Sequence, residues 1–296
     1  MRPGTPADAA ALLALRGKVF PYRVTALADL RRELEEAATD EHFRSFAVEA
    51  DGRLIGWGSA ALSTWSPKPG EYHVNIYVHP DHRRQGIGTT LAQAVDDHLA
   101  GEEVGRVLSS ATESGVEFAL KHGYQGTDVM RYAGLDPRRA PEPPATPAGI
   151  ELTNLAAVDL ETAYAAFLPT VGDVPGDQDF SQFPLESYEK EIWNSAGFNK
   201  ELSTAAVADG KVICFTNVIT ADDRLWTDMT GTLAQYRGQG LAKVVKTNGL
   251  HAAAAAGITM AYTVNHDVNA PMLAINNWLG YGRVASHTGM VRLSRN

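Results

Sequence analysis

Cysteine is almost absent from this chain of 296 residues: Cys214 stands alone. No internal disulfide can form, and a thiolate metal site has no second ligand. Cys214 lies in the apolar run Val212-Ile213-Cys214-Phe215, which reads as a strand, so it is expected to pack rather than to act as a nucleophile. No stretch reaches the roughly 20 apolar residues that cross a bilayer, and Met1-Arg2-Pro3-Gly4-Thr5 lacks the pattern of a secretory leader, so a cytoplasmic location is the expectation. Basic charge is also short. The 26 Lys and Arg are outnumbered by 35 Asp and Glu, for a net charge of -9. Nucleic acid is therefore disfavoured as a partner, because phosphate binding relies on clustered cations, whereas a cationic small molecule is compatible with the balance. His79 and His82 have no acidic or Cys partners at ligand spacing, so no metal site is expected. What the chain does have is an ordinary globular composition, 44% hydrophobic and 21% charged, over a length that favours two domains.

Prolines concentrate in one place. Five of fifteen fall in the segment DPRRAPEPPATPAG, Asp136 to Gly149, without apolar periodicity, which marks a linker at 137–149 between domains at 1–136 and 150–296. The flanks repeat one order of events. Asp51-Gly52 and Asp209-Gly210 each join two apolar runs and predict hairpins with two-residue turns. Arg83-Arg84-Gln85-Gly86-Ile87-Gly88 and Arg237-Gly238-Gln239-Gly240-Leu241-Ala242 follow in the same order, then His122-Gly123-Tyr124 and Leu279-Gly280-Tyr281. The offsets stay between 154 and 158 residues, as duplication requires. Each copy reads as helix, hairpin, strand, Gly-containing turn, helix, strand, helix, strand. Asp8–Phe20 and Leu160–Leu168 read as helices, and Tyr72–Val78 and Leu225–Leu233 are the candidate central strands. The run HAAAAAG, His251 to Gly257, is the end of a helix and carries no chemistry.

A strand that ends in such a turn and opens into a helix gathers backbone N–H groups and the positive end of the helix dipole around one point, where an anion fits. Gly86, Gly88, Gly240 and Ala242 let the backbone approach a phosphate, and Arg83, Arg84 and Arg237 add charge. One such pattern would mean little. Two, at matching places in a repeat, point to a cofactor phosphate.

The residues Val78-His79-Pro80-Asp81-His82-Arg83-Arg84-Gln85-Gly86-Ile87-Gly88 resemble the acyl-CoA pyrophosphate loop of the GNAT superfamily of N-acetyltransferases. The segment Thr232-Leu233-Ala234-Gln235-Tyr236-Arg237-Gly238-Gln239-Gly240-Leu241-Ala242 is similar, with Ala234 where the family usually has proline. The resemblance covers nearly the whole chain and implies an α+β fold: two tandem GNAT-like domains, each a mixed, mostly antiparallel sheet flanked by helices, with a splayed central strand. It also implies an acyl-CoA cofactor, acetyl-CoA or another, held by Arg83, Arg84, Gln85, Gly86, Ile87, Gly88 and Thr89 in the first copy. Arg237, Gly238, Gln239, Gly240, Leu241 and Ala242 would hold it in the second. Backbone at Ile76, Tyr77 and Val78, and at Thr230, Gly231 and Thr232, would bind the pantetheine arm and polarise the thioester. Tandem acetyltransferases with one silent copy are also similar.

Acyl transfer needs a neutral amine, so a general base is useful. Asp228 shares strand parity with Thr230 and Thr232 and is the leading candidate; pairing with a neighbouring side chain is the alternative. Glu71 and His73 occupy comparable ground in the first copy. The family often carries an acid tyrosine on the last helix with an asparagine ahead of it. Here Asn269 keeps the asparagine while Asn276 stands at the tyrosine position, where it could bond the cofactor or a water; the first copy has Thr112 and Ala119. The second copy is thereby favoured for catalysis and the first for cofactor binding. The reading is an N-acyltransferase acting in a ternary complex on a primary amine of a small molecule, with cationic amines such as an aminoglycoside, amino sugar, polyamine or biosynthetic intermediate among the candidates. The protein is expected to be a monomer or homodimer. The alternative is an acyl-CoA-binding sensor or scaffold. Asp173 and Asp177, with Phe180, Phe183, Tyr188 and Trp193, would line an acceptor pocket or simply pack on the sheet. Gly56-Trp57-Gly58-Ser59-Ala60-Ala61 imitates a dinucleotide fingerprint, but it must open a helix to serve as one, and it continues as strand.

Overall fold

The computed structural model describes residues 1–40, 42–63, 68–175 and 183–294, with side chains up to Glu36 in the first of these stretches. They form two compact units. One comprises Met1–Arg23, Leu27–Met130 and the chain from Ser286 onward; the other comprises Val24–Ala26 and Arg131–Ala285.

In the first unit the chain runs through β1 (Arg2–Pro3), α1 (Ala9–Val19), α2 (Leu27–Asp40), β2 (Arg44–Ala50), β3 (Arg53–Leu62), β4 (Glu71–Val78), α3 (Ile87–Leu99), β5 (Arg106–Thr112), α4 (Val116–Lys121) and the start of β6 (Gln125–Leu135). Asp51 and Gly52 both take positive φ, +50° and +72°, as the turn between β2 and β3 demands. Leu12, Leu15, Leu30 and Leu34 pack α1 and α2 against Ala47, Leu54 and Trp57 on one face of the sheet. Val95 and Leu99 of α3 pack on Ala60, Tyr72, Val74 and Val107 on the other. The Gly56-Trp57-Gly58-Ser59-Ala60-Ala61 segment is inside β3, and a Cβ at Gly58 would stand 3.3 Å from Leu91. Its glycines let α3 lie close on the strand, and the segment opens no helix.

The second unit repeats the plan: β7 (Glu151–Asn154), α5 (Leu160–Val171), α6 (Leu185–Tyr188), β8 (Thr204–Ala208), β9 (Lys211–Ala221), β10 (Arg224–Thr232), α7 (Leu241–Ala255), β11 (Met260–His266), α8 (Ala270–Leu279) and the start of β12 (Gly282–Leu293). Asp209 and Gly210 repeat the hairpin turn at +49° and +72°. Phe167, Val171, Phe183, Tyr188 and Trp193 build the core on the α5 side with Ala205 and Phe215. On the other face Leu241 and Val245 meet Ala206, Ile213 and Cys214. Cys214 is fully buried, and burial pushes its thiol up to about 12, which suits packing and not nucleophilic chemistry. No helix among the described residues is long and apolar enough to cross a membrane.

Two features depart from a simple division at the proline-rich segment. That segment belongs to the second unit, where Pro141 O accepts a hydrogen bond from His251 Nε2 of α7 at 2.9 Å. The units also exchange chain: β6 passes between them at Met130 and Arg131, and β12 at Ala285 and Ser286. The end of β12 pairs antiparallel with β5 from His287↔Thr112 to Leu293↔Arg106, covering an edge that β5 would otherwise expose.

One side chain of the second unit is out of place for its chemistry. Lys246 of α7 is 3% exposed, faces Thr216, Leu225, Thr227 and Tyr281 around a cavity of about 10 Å³, and its Nζ lies 5.7 Å from the Tyr281 ring centre. Burial pushes its ammonium down to about 7. The unfolded chain, with Lys near 10.4, then binds more protons, so stability rises with pH between about 7 and 10.4. Lys246→Met is expected to raise Tm by several degrees at pH 7 and to flatten this rise, as thermal melts at pH 7, 8 and 9.5 would show.

Candidate functional site

In both units the parallel central strands begin paired and then separate. β4 and β5 pair only from Glu71↔Arg106 to His73↔Leu108, and β10 and β11 only from Arg224↔Met260 to Thr227↔Thr263. Beyond those points the facing backbone groups of the two strands have no ladder partner between them, which is where an extended polar ligand can bond.

Each central strand then enters a turn of the same build. Gly86 and Gly240, at φ +82° and +79°, stand immediately before α3 and α7, and Arg84 and Gly238 take φ +63° and +78° two residues earlier. The alternation folds successive N–H groups toward one point at the helix N-terminus, the geometry of an anion cradle. Arg83 Nε donates to Val78 O at 3.4 Å and Arg237 Nε donates to Thr232 O at 3.0 Å, so both loop arginines are tied to the last residue of their strand. This bond fixes the correspondence of the copies: Val78 matches Thr232, Tyr77 matches Gly231, and Ile76 matches Thr230.

The copies differ beyond the cradle. In the first unit the separation of β4 and β5 holds a cleft of about 430 Å³. It runs from Arg83, Arg84, Gly86, Gly88 and Thr89 at the turn, along Ile76, Tyr77 and Val78 on one wall and Ser109, Ser110 and Ala111 on the other, to Val19 and Phe20 of the α1 end. Thr112 and Ala119 line it as well, and the small Ala119 leaves space where a tyrosine would stand. Arg83 Nη1 also donates to Ser114 Oγ at 3.3 Å. Asp96 and Glu117 are the carboxylates on the wall, and each is paired, with Arg292 at 2.5 Å and Lys121 at 2.7 Å. Glu71 lies below the point of separation, fully buried and in an ion pair with Arg106. His73 occupies the last paired position, one residue before the cleft wall begins, and burial lowers its pKa, so it is neutral at pH 7.

In the second unit a bulge interrupts β10: Thr227 opposes Val218 and Met229 opposes Asn217, leaving Asp228 as the extra residue. It resets the alternation on which strand parity depends. Thr230 continues the face of Thr227, and it meets Thr216 at 3.0 Å between hydroxyls. Asp228 is exposed where β10 leaves β11 and has no counterpart in β4, whose pairing with β3 is unbroken. Thr170 of α5 presses on the backbone at Gly231, where a Cβ would come within 2.5 Å of its hydroxyl. Asp173 forms an ion pair with Arg237, so its charge is spent on the loop and not offered to a ligand. Asp177 and Phe180 lie outside the described residues; Phe183, Tyr188 and Trp193 are core. Asn269 caps α8, accepting from Met272 N at 3.2 Å. Asn276 is buried, donates to Asn265 Oδ1 at 2.5 Å, and leaves its own Oδ1 without a hydrogen bond. Gln239, Leu241 and Ala242 follow Gly238 and Gly240 in the turn, as Gln85, Ile87 and Gly88 do in the first unit. Among the described residues no group of His, Cys, Asp and Glu could hold a metal ion.

Residues 11–124 match the acetyltransferase (GNAT) family. The chain is 27% identical over 248 residues to a mycothiol acetyltransferase of Salinispora arenicola (strain CNS-205), covering 82% of this chain and 79% of the relative. A second mycothiol acetyltransferase, of Nocardiopsis dassonvillei, is 25% identical over 259 residues, covering 78% and 76%. Among solved structures, a tandem GNAT protein from the clavulanic acid biosynthesis pathway superposes with a TM-score of 0.76 at 21% identity, over 99% of this chain and 98% of that one. A GCN5-related N-acetyltransferase from Sphaerobacter thermophilus gives 0.73 at 18%, over 100% and 95%. These structures share the fold.

Arg84 holds a left-handed conformation that costs a non-glycine residue roughly 1 kcal/mol, and the second copy has glycine there. Arg84→Gly should leave stability within about 0.5 kcal/mol, because relief of strain is offset by the freer unfolded chain. An anion in the cradle should be held several-fold more weakly through loss of the cation, which melts and calorimetry with a pyrophosphate-bearing ligand read separately.

Proposed function

We propose that this chain is a tandem acyl-CoA-dependent N-acetyltransferase of the GNAT superfamily, whose first unit binds acetyl-CoA or another short acyl-CoA and passes the acyl group directly to the primary amine of a small molecule. The observation that carries this reading is the cleft of about 430 Å³ that joins the phosphate cradle to the α1 end through the gap between β4 and β5. The N–H groups at 85–88 and the guanidinium groups of Arg83 and Arg84 would hold the pyrophosphate, and the pantetheine arm would lie along Ile76–Val78, its amides completing the broken ladder. An unpaired N–H of the same strand would receive the thioester oxygen as it gains charge. The neutral amine attacks the carbonyl carbon and forms the C–N bond, the C–S bond breaks, the nitrogen gives its surplus proton to water, and coenzyme A leaves as a thiolate that takes a proton back from water in the open cleft, since Ala119 offers none. The curated relatives named as mycothiol acetyltransferases support an amino-sugar derivative as one acceptor to try.

A second reading places chemistry in the other unit. It is favoured by the bulge that puts Asp228 where β10 and β11 part, as a base toward the amine, with Asn276 positioning water. Against it stand the Asp173–Arg237 pair, which competes with a phosphate for the loop cation, and Thr170 packed on Gly231.

Calorimetry with acetyl-CoA and release of free coenzyme A over an amine panel distinguish these. Gly86→Glu puts a carboxylate and a strained side chain into the first cradle and is expected to abolish both binding and turnover, while Gly240→Glu and Asp228→Asn leave turnover within about twofold. Turnover that survives Gly86→Glu but drops at least tenfold in Asp228→Asn assigns catalysis to the second unit. Binding without release of coenzyme A from any amine makes the protein an acyl-CoA sensor. Intersecting initial-rate lines are expected for direct transfer in a ternary complex.

A further inference from the structure

At the α1 end of the first unit's cleft, β12 contributes a side chain that lies far along the chain from the rest of the wall. His287 is 4% exposed and sits between two hydroxyls: Tyr22 Oη is 2.5 Å from its Nε2, and Ser110 Oγ is 3.2 Å from its Nδ1. Phe20 stacks beside the imidazole with ring centres 5.2 Å apart and meets Tyr77 edge-on at 5.3 Å. Ser110 and Phe20 reach the cleft, whereas Tyr22 and His287 lie behind them. Burial, and then the charge of Arg23, push the imidazole down to about 4, so it is neutral at working pH and has one N–H to place.

The acidities of these two hydroxyls decide which ring nitrogen carries that N–H. A phenol, with a pKa near 10, is a far stronger hydrogen-bond donor than an alkyl hydroxyl, so the close Tyr22 contact is phenol donating to Nε2. The proton of the ring then resides on Nδ1 and is donated to Ser110 Oγ. With its oxygen accepting from the ring, Ser110 has its own O–H left to give, and the cleft is the open direction. Each bond in the row polarises the next, which strengthens the last donor. The carboxylates of the cleft wall are neutralised by Arg292 and Lys121, so charge does not select the acceptor at this end.

We propose that Ser110, oriented by His287 and Tyr22, is a hydrogen-bond donor to a neutral oxygen of the acceptor, so that the first unit prefers amines that carry a hydroxyl or carbonyl oxygen close to the nitrogen. Ser110 touches the acceptor, and His287 and Tyr22 are positioning residues that act through it. The proposal rests on the assignment of acyl transfer to the first unit.

The test uses the full chain saturated with coenzyme A, with ethanolamine and n-propylamine as matched probes. Imidazole ¹⁵N spectra are expected to show His287 neutral from pH 5 to 8 with the proton on Nδ1, and to shift with ethanolamine but not with n-propylamine. In turnover with acetyl-CoA, kcat/KM referred to the concentration of neutral amine is expected to be roughly tenfold higher for ethanolamine than for n-propylamine, the worth of one hydrogen bond, a reference that removes the difference in basicity of the two amines. Ser110→Ala and His287→Leu should erase that ratio through KM, while His287→Asn, whose amide can donate near the Nδ1 position, restores part of it. Acetyl-CoA affinity should be unchanged in all three. A proton on Nε2, equal responses of His287 to the two amines, or a ratio that survives Ser110→Ala overturns the proposal. Should coenzyme A bind while no amine releases it, the transferase reading fails, and the spectra still decide the role of Ser110.

Discussion

The early end of pairing between two parallel strands governs the site. β4 and β5 hold three register positions and then part. Parting leaves backbone donors and acceptors that a folded core would not tolerate unless water or a ligand reaches them. The remaining features accommodate that cost. Gly86 and its neighbours end the strand in an anion cradle, α3 carries the dipole that completes it, and β12 pairs with β5 over seven positions to hold the outer strand in place while its inner side is open. Glu71 and Arg106 join the strands below the opening, as a clasp at its base.

The second unit has the same strand divergence and cradle, with different occupants. Asp173 already satisfies Arg237, Thr170 fills the space over Gly231, and Asp228 has been added to the strand. A carboxylate held beside a loop cation opposes a phosphate at the same place, because both bond to the same guanidinium. Duplication thus yielded two scaffolds with one backbone plan whose side chains have moved apart, and the physical differences concentrate where ligand would lie. Buried polar groups left in the second unit, such as Lys246 and the Oδ1 of Asn276, show that its interior is not tuned for stability alone.

Exchange of chain between units has a chemical consequence. His287 and Arg292 belong to the C-terminal strand, yet they contribute to the first unit: His287 backs Ser110, and Arg292 pairs with Asp96 and lies over the Tyr124 ring at 4.9 Å. Loss of the last ten or so residues would uncover β5 and remove the imidazole behind the cleft together.

The repeat, both hairpin turns, the two Gly-containing cradles and the helices that follow them were legible in the residues, because each depends on local chemistry: Asp-Gly pairs accept positive φ, glycine before a helix accepts the left-handed region, and apolar residues at period two or 3.6 declare a strand or a helix. Parity grouped Asp228 with Thr230, and the bulge at Asp228 breaks the alternation on which that reading rests, because a bulge is set by how β10 matches β9, which no single strand encodes. Asp173 read as a lure for a cationic acceptor, but its partner Arg237 stands 64 positions away. The triad of Tyr22, Ser110 and His287 left no sequence signal for the same reason, since 177 residues separate the serine from the histidine. Sequence by itself determined the elements, their duplication and the anion cradle, all of which arise within a few neighbouring residues; the tertiary structure alone decided that the first unit holds an open cleft and which side chains meet in it, because strand pairing and charge pairing between distant segments are settled only when the chain is packed.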